Sequence, residues 1–345
     1  MSKGDRVRVE KEGNVFEGVM MPSSDDEQVV VKLDDGYNVG VGRDGATVEV
    51  VEEIEKETGG EDVTLEHDEE LPTVSLISTG GTIASTVDYR TGAVTAQFDA
   101  EDVLRAVPEL AGRANYRGRV VSNILSENMT PGRWKELADA VADEIRDGTD
   151  GVVVMHGTDT MAYSASALSF MLDTPVPVVF VGSQRSADRP SSDNVVNAVC
   201  AVEAAKSDVS GVFVCMHADR SDGTCALHRG TRVRKNHTSR RDAFDTVGRE
   251  PVGSVEYRTG EVEWRRKEEL GGRGGDVVLE DALNHDVQHI KFTPGKDASV
   301  IDGGADGVVI EGTGLGHTHT DWIEKHRGTR RRRRHDVAVP RRTRL

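Results

Sequence analysis

Four short polar runs in this chain hold residue types that could do nucleophilic chemistry. They are Thr79-Gly80-Gly81-Thr82, Ser126-Glu127-Asn128, His156-Gly157-Thr158-Asp159-Thr160 and Arg234-Lys235-Asn236. A threonine hydroxyl is a weak nucleophile until a base takes its proton, and a lysine serves as that base only where burial and neighbours draw its pKa toward neutrality. Thr158, Asp159 and Lys235 have the types for a relay in which Asp159 orients and Lys235 accepts the proton. Gly80 and Gly81 would let backbone N–H groups approach a ligand and steady an oxyanion. Hydroxyls and glycines are also ordinary turn and cap residues, and that explanation suffices for any one of these loops alone.

The first three runs each follow an apolar segment. From Leu71 the chain alternates strand-like runs with amphipathic helices: TVSLIS (73–78), GRVVSNIL (118–125), GVVVMH (151–156), VPVVFVG (176–182) and GVFVCM (211–216). This alternation predicts an open parallel sheet with flanking helices, an α/β domain running to about Asp245. One helix should open with Thr130 as N-cap and Pro131 at its first position, with Trp134, Leu137, Ala138, Val141 and Ile145 on one face. Such sheets bind ligands at the carboxyl ends of their strands, where these loops lie. Before this domain, five short strands (5–10, 15–21, 28–33, 37–42 and 46–51) with turn punctuation predict a small β-barrel over residues 1–51. An acid-rich stretch, 52–70, reads as a solvated linker. After the α/β domain, 246–286 forms a connection holding the hairpin-like VEYRTGEVEW (255–264), and 287–326 starts a second α/β domain that is left incomplete.

The chain has 345 residues, 60 Asp and Glu against 43 Lys and Arg, and a formal charge of -17. Nine arginines and a single aspartate fall at or after Arg327, so the body is more acidic than that figure shows. An acidic surface repels nucleic acid and suits a salt-rich cytoplasm, where screening removes self-repulsion. On this reading the unfolding temperature rises with KCl, and equal stability in dilute buffer would refute it. Cys200, Cys215 and Cys225 form no CxxC pair, and the opening MSKGDRVRVE holds no signal-type apolar run. A reduced, cytoplasmic, membrane-free protein is expected.

TGGTIAS (79–85) and HGTDTM (156–161) resemble, in order and context, the two signatures of the asparaginase family with a threonine nucleophile. Ser126-Glu127-Asn128-Met129 is similar to that family's Ser-x-x-Met loop, and Arg234-Lys235-Asn236 to its lysine loop. The resemblance implies Thr82 as nucleophile with Tyr89 as its hydrogen-bond partner. It implies Thr158, Asp159 and Lys235 as a second catalytic cluster, and Ser126, Glu127 and Asp159 as holders of the substrate's α-amino and α-carboxylate groups. The N-terminal barrel, the acidic linker and wording such as HGTDTMAYSASALSFML narrow the resemblance to the D-subunit family of archaeal glutamyl-tRNA(Gln) amidotransferases. That family releases ammonia from glutamine or asparagine. A partner E subunit binds Glu-tRNA(Gln), activates the glutamate with ATP and Mg, and receives the ammonia. No cofactor is expected in this chain itself, which should work as a homodimer within a heterotetramer and meet tRNA mainly through its partner. The alternatives are a free-standing L-asparaginase and a catalytically inactive truncated scaffold.

Gly312-Thr-Gly-Leu-Gly316 is not GxGxxG and there is no GxxxxGK[ST], so neither a dinucleotide nor an ATP motif is present. His317, His319 and Asp321 stand without a further ligand pair, which argues against a metal. The arginine-rich tail, 327–345, begins where the family continues its second domain and reads as a frame-shifted or truncated, non-native end.

Overall fold

The computed structural model describes residues 5–21, 27–34, 37–52, 67–80, 103–104, 107–185, 190–284, 286–301 and 304–323. Thr82, Tyr89, most of the acidic linker and the arginine tail lie outside the described residues. The chain divides into two compact units, Met1–Asp281 and Ala282–Leu345.

The N-terminal strands are β1 (Arg6–Lys11), β2 (Asn14–Met21), β3 (Gln28–Lys32), β4 (Asn38–Gly42) and β5 (Thr47–Glu52), in an antiparallel sheet of order β4-β3-β2-β1-β5. Period-two alternation puts Val7, Val9, Met20, Val29, Val31 and Val41 on one buried face. The β1–β2 hairpin closes through Glu12 and Gly13, both at positive φ (51° and 79°), the backbone of a type I′ turn.

The parallel part of the large sheet is β6 (Thr73–Ser78), β7 (Asn115–Val120), β8 (Gly151–Met155), β10 (Pro177–Val181) and β11 (Val209–His217), the last three joined through β6 to β7. Every residue of β8 and β10 is buried, as strands covered on both faces require. The covering helices are α1 (Pro131–Arg146), α2 (Met161–Met171) and α3 (Asn194–Ala205), with the minor strand β9 (Leu172–Asp173) after α2. Thr130 caps α1 by accepting from Arg133 N at 3.4 Å, and Pro131 sits at N1, where its missing N–H leaves no bond unmade.

Two features differ from the expectations above. The run expected as a strand over 118–125 pairs with β6 only at Asn115–Val120. Val121–Leu125 instead takes its bonds from the end of β6 and the loop after it: Val121 N donates to Ser78 O at 2.9 Å and Ile124 N to Thr79 O at 3.2 Å. The parallel sheet is also extended on one side by antiparallel strands β12 (Thr224–Arg229), β15 (Gly253–Glu256) and β16 (Val262–Trp264), which gives the order β16-β15-β12-β11-β10-β8-β6-β7. The hairpin of the 246–286 connection thus becomes part of the large sheet, burying Val255 and packing Trp264 against Phe213, ring centroids 4.9 Å apart. Between β12 and β15 lies a small hairpin, β13 (Val233–Lys235) and β14 (Phe244–Thr246). Short pairings β17 (Gly271–Gly272) with β11 and β18 (Val278–Leu279) with β9 follow.

The second unit pairs β19 (Val287–Lys291) and β20 (Gly307–Glu311) in parallel. Ile290, Ile301, Ile310 and Trp322 form its core, with Phe292 edge-on to Trp322 at 5.1 Å.

Candidate active site

With β7 and β8 on either side of β6, the chain reverses its direction of winding at β6, and a crevice is expected at the carboxyl ends of β6 and β8. The TGGT and HGTDT runs begin there. Thr79 is buried, its N–H and hydroxyl both bonding Met155 O (3.0 and 3.1 Å), which ties the loop after β6 to the end of β8. Gly80 has φ 102°, and a Cβ there would stand 2.6 Å from Ile124 O, so only glycine fits. Gly157 is equally constrained, since a Cβ would meet Ser126 Cβ at 2.7 Å. The Ser126 and Thr158 loops are thereby packed backbone to side chain, and the Thr160 hydroxyl donates to Ser126 O at 2.7 Å.

Lys235 closes the site from β13. Its Nζ donates to Thr158 Oγ1 at 2.9 Å and to Asp159 Oδ1 at 2.7 Å. The lysine side chain is 11% exposed and the aspartate 68%, so the amine is held under a carboxylate that faces water. Asn236 fixes the hairpin base: its N donates to Ala243 O at 2.7 Å and its side-chain amide to Asp245 Oδ2 at 2.8 Å. The hairpin loop is tethered at Arg241, which pairs with Asp222 and stacks 5.9 Å above the Tyr37 ring of the N-terminal sheet. Tyr37 also shares a 2.6 Å hydrogen bond with Ser191.

The structure therefore brings Thr158, Asp159 and Lys235 into contact, with Ser126 buried directly behind Gly157 and Glu127 exposed beside it in a 3₁₀ turn. Thr82 and Tyr89 fall outside the described residues. His156, although inside the HGTDT run, is not poised for proton transfer. Its Nδ1–H donates to Gly157 O at 2.7 Å, Nε2 accepts from Ser164 Oγ at 2.8 Å, and Trp134 Nε1 donates to the same hydroxyl at 2.9 Å. Burial pushes its pKa down to about 4, so the ring is a neutral spacer between α1, α2 and β8. The three cysteines are buried and unpaired, and burial raises the thiols of Cys215 and Cys225, which withdraws them from thiolate chemistry.

One element escaped the sequence reading. Asp193 precedes α3 and looks like a helix cap, yet it makes no cap bond. Fully buried, it accepts from Ser183 Oγ (2.8 Å), Gln184 N (3.0 Å), Arg185 N (2.9 Å) and Asn197 Nδ2 (2.9 Å), and so shapes the turn after β10. Asn197 Oδ1 in turn accepts from His217 Nδ1 at 2.6 Å, and His217 faces Asp222 at 3.3 Å. The spacing Asp193-x-x-x-Asn197, one turn of helix with two polar residues aimed at the core, was the available signal.

Among the described residues no group of three His, Cys, Asp or Glu is placed to hold a metal, and no helix is long and apolar enough to cross a membrane. His319 and Asp321 stand 3.4 Å apart on the surface of the second unit.

Comparison with known proteins agrees with this geometry. The family model "Asparaginase, N-terminal" matches residues 73–270 and "GatD N-terminal domain" matches 1–51. Proteins named as the D subunit of glutamyl-tRNA(Gln) amidotransferase are similar along most of the chain. The one from Haloquadratum walsbyi is 62% identical over 93% of this chain and 80% of its own length. That from Halobacterium salinarum is 63% identical (92% and 78% covered), and that from Methanosarcina mazei 51% (93% and 79%). Among solved structures, the thermostable L-asparaginase from Thermococcus kodakarensis superposes with TM-score 0.67 at 30% identity, covering 78% of this chain and 80% of that one.

Proposed function

The chain belongs to the D-subunit family of glutamyl-tRNA(Gln) amidotransferases, and from that premise we propose that it releases ammonia from glutamine so that Glu-tRNA(Gln) becomes Gln-tRNA(Gln). The observation that carries the chemistry is Lys235 Nζ held between Thr158 Oγ1 and Asp159 Oδ1 at the carboxyl end of β8. Thr82 Oγ attacks the side-chain amide carbon, with Tyr89 as its hydrogen-bond partner. The C–N bond breaks as the departing nitrogen takes up the proton lost by the Thr82 hydroxyl, ammonia leaves, and a threonyl ester remains on Thr82. Water hydrolyses that ester: its proton passes through the Thr158 hydroxyl to Lys235 beside Asp159, the bond between the acyl carbon and Thr82 Oγ breaks, and the proton returns to Thr82 Oγ as the acid leaves. Ser126, Glu127 and Asp159 orient the substrate's α-amino and α-carboxylate groups.

In this reading the chain needs no cofactor of its own. ATP and Mg act on a partner E subunit that activates the glutamate, holds most of the tRNA contacts and takes up the ammonia. The assembly is a homodimer of this chain within a heterotetramer, in the cytoplasm. The functional division is a barrel over 1–51, a linker over 52–70, a catalytic domain over 71–245 whose sheet takes in the hairpin of the connection over 246–286, and a second domain begun over 287–326.

The test is ammonia release from glutamine in high-KCl buffer, with and without the E subunit, ATP and Glu-tRNA(Gln). Release that rises in the complete mixture supports the proposal. Asparagine hydrolysis indifferent to every added component would replace it with a free-standing L-asparaginase. No release from a folded chain would reduce it to a scaffold.

A further inference from the structure

Where the chain leaves β12, on the antiparallel side of the large sheet, there is an open recess of about 360 Å³. Arg229, Arg232, Arg249, Arg265 and Arg266 line it together with Glu250 and Glu269. In a chain of formal charge -17, this surface has the reverse sign.

The arginines are not consumed by one another's counterions. Glu269 pairs with Arg249 at 2.7 Å and with Arg266 at 3.9 Å, and Glu250 reaches Arg265 only at 4.0 Å. The remaining pair is anchored on main-chain carbonyls: Arg229 Nη2 donates to Glu269 O at 2.6 Å and Arg232 Nη1 to Val247 O at 3.5 Å. Carbonyl anchoring fixes a guanidinium without neutralising it, so its remaining N–H groups stay available to an anion.

A second observation comes from the adjoining cavity, which shares Thr246, Arg249, Glu250, Pro251 and Arg265 with the recess and is lined by His228. His228 is 1% exposed and its Nδ1 meets Thr246 Oγ1 at 2.8 Å, while its Nε2 has no hydrogen-bond partner among the described residues. A buried ring nitrogen left unpaired is costly, and a polar ligand atom entering the cavity is one way to complete it.

We propose that this recess binds a phosphate group, either free or carried in an RNA backbone. Planar guanidinium forks match phosphate oxygens two at a time. The choice of RNA as one source rests on the amidotransferase reading above, whereas the phosphate site does not.

The experiment is calorimetric titration of the whole 345-residue chain with inorganic phosphate at fixed KCl. The comparison is the double variant Arg249→Gln/Arg265→Gln, whose replaced side chains are on the surface. Both proteins keep the arginine run 330–334, so their difference reports the recess alone. Saturable binding, weakened at least tenfold in the variant with unchanged circular dichroism, is the expected result. Absent binding in the parent chain, or equal binding in the two folded proteins, overturns the proposal. A parallel titration with fluorescently labelled tRNA separates the sources. Parallel loss identifies backbone phosphate, and tRNA binding unchanged beside lost phosphate binding identifies a free anion. Because no turnover is measured, failure of the ammonia assay and failure of this site are read independently.

Discussion

Replacing Asp193 by asparagine keeps the shape of the side chain and exchanges one acceptor oxygen for an NH₂ where no water can compensate. The remaining oxygen can retain Ser183 and the Gln184 and Arg185 amides, which converge on Oδ1. The new NH₂ then faces Asn197 Nδ2 and the Gln184 amide, donor against donor, where bonds of 2.9 and 3.0 Å stood. Asn197 cannot rotate to answer it, because its oxygen accepts from His217 at 2.6 Å. One charge-assisted bond lost, about 1.5–3 kcal/mol, plus one buried donor left unpaired, about 1–3 kcal/mol, gives a destabilisation of roughly 3–5 kcal/mol. At about 2–4 °C per kcal/mol for a domain of this size, the melting temperature falls on the order of 10 °C. Urea unfolding and calorimetry in KCl measure both quantities. Ser183→Ala removes one donor and leaves the carboxylate well supplied, so it should cost only about 1 kcal/mol. An Asp193→Asn protein within about 1 kcal/mol of the parent would show that this carboxylate is not the node its contacts describe.

Thr82→Ala and Lys235→Met should each lower glutaminase turnover at least about a hundredfold. Lys235→Met should leave the melting temperature nearly unchanged, because Asp159 is well exposed; near-normal turnover in either variant refutes the assigned chemistry. Gly157→Ala places a methyl 2.7 Å from Ser126 Cβ. Displacing the Ser126 loop should cost about 1–3 kcal/mol and raise KM, and wild-type values in both would contradict the packing. His156 and His228 are each lowered to about 4 by burial, so the unfolded chain binds protons that the folded one does not. Their contribution is full above the unfolded histidine pKa of about 6.5 and is lost as pH falls toward 4, by about 3 kcal/mol for each ring. A denaturation series from pH 7 to 4.5 in which His156→Gln does not flatten the slope would remove that explanation.

The parallel core was legible because β8 and β10 are continuous apolar runs, and α1 because Thr130-Pro131 opens a one-sided pattern that the structure buries at Leu137, Ala138, Val141 and Ile145. β12 was not, since TCALHR mixes Cys225, Leu227 and His228 in a segment whose burial depends on β11 and β15 lying on either side. The displacement of β7 has a similar cause: Val120 and Val121 favour a strand locally, but Ser78 and Thr79 offer the next carbonyls in a direction that bends the chain away. Asp193 was hidden because three of its four donors sit eight to ten residues upstream, beyond any local cap pattern. The Thr158–Asp159–Lys235 contact was nameable from residue types but not from spacing, as it spans 76 and 77 residues.

That span has a consequence for biosynthesis. A chain emerging from the ribosome exposes its Thr158 loop long before Lys235 exists to meet it, and the two can join only once β10, β11 and β12 are threaded between them. Contacts of such long sequence separation form late, because the intervening segment must be ordered first. On the proposed chemistry, nascent and partly folded molecules lack the amine that clears the Thr82 ester, so repeated turnover waits until the sheet is complete.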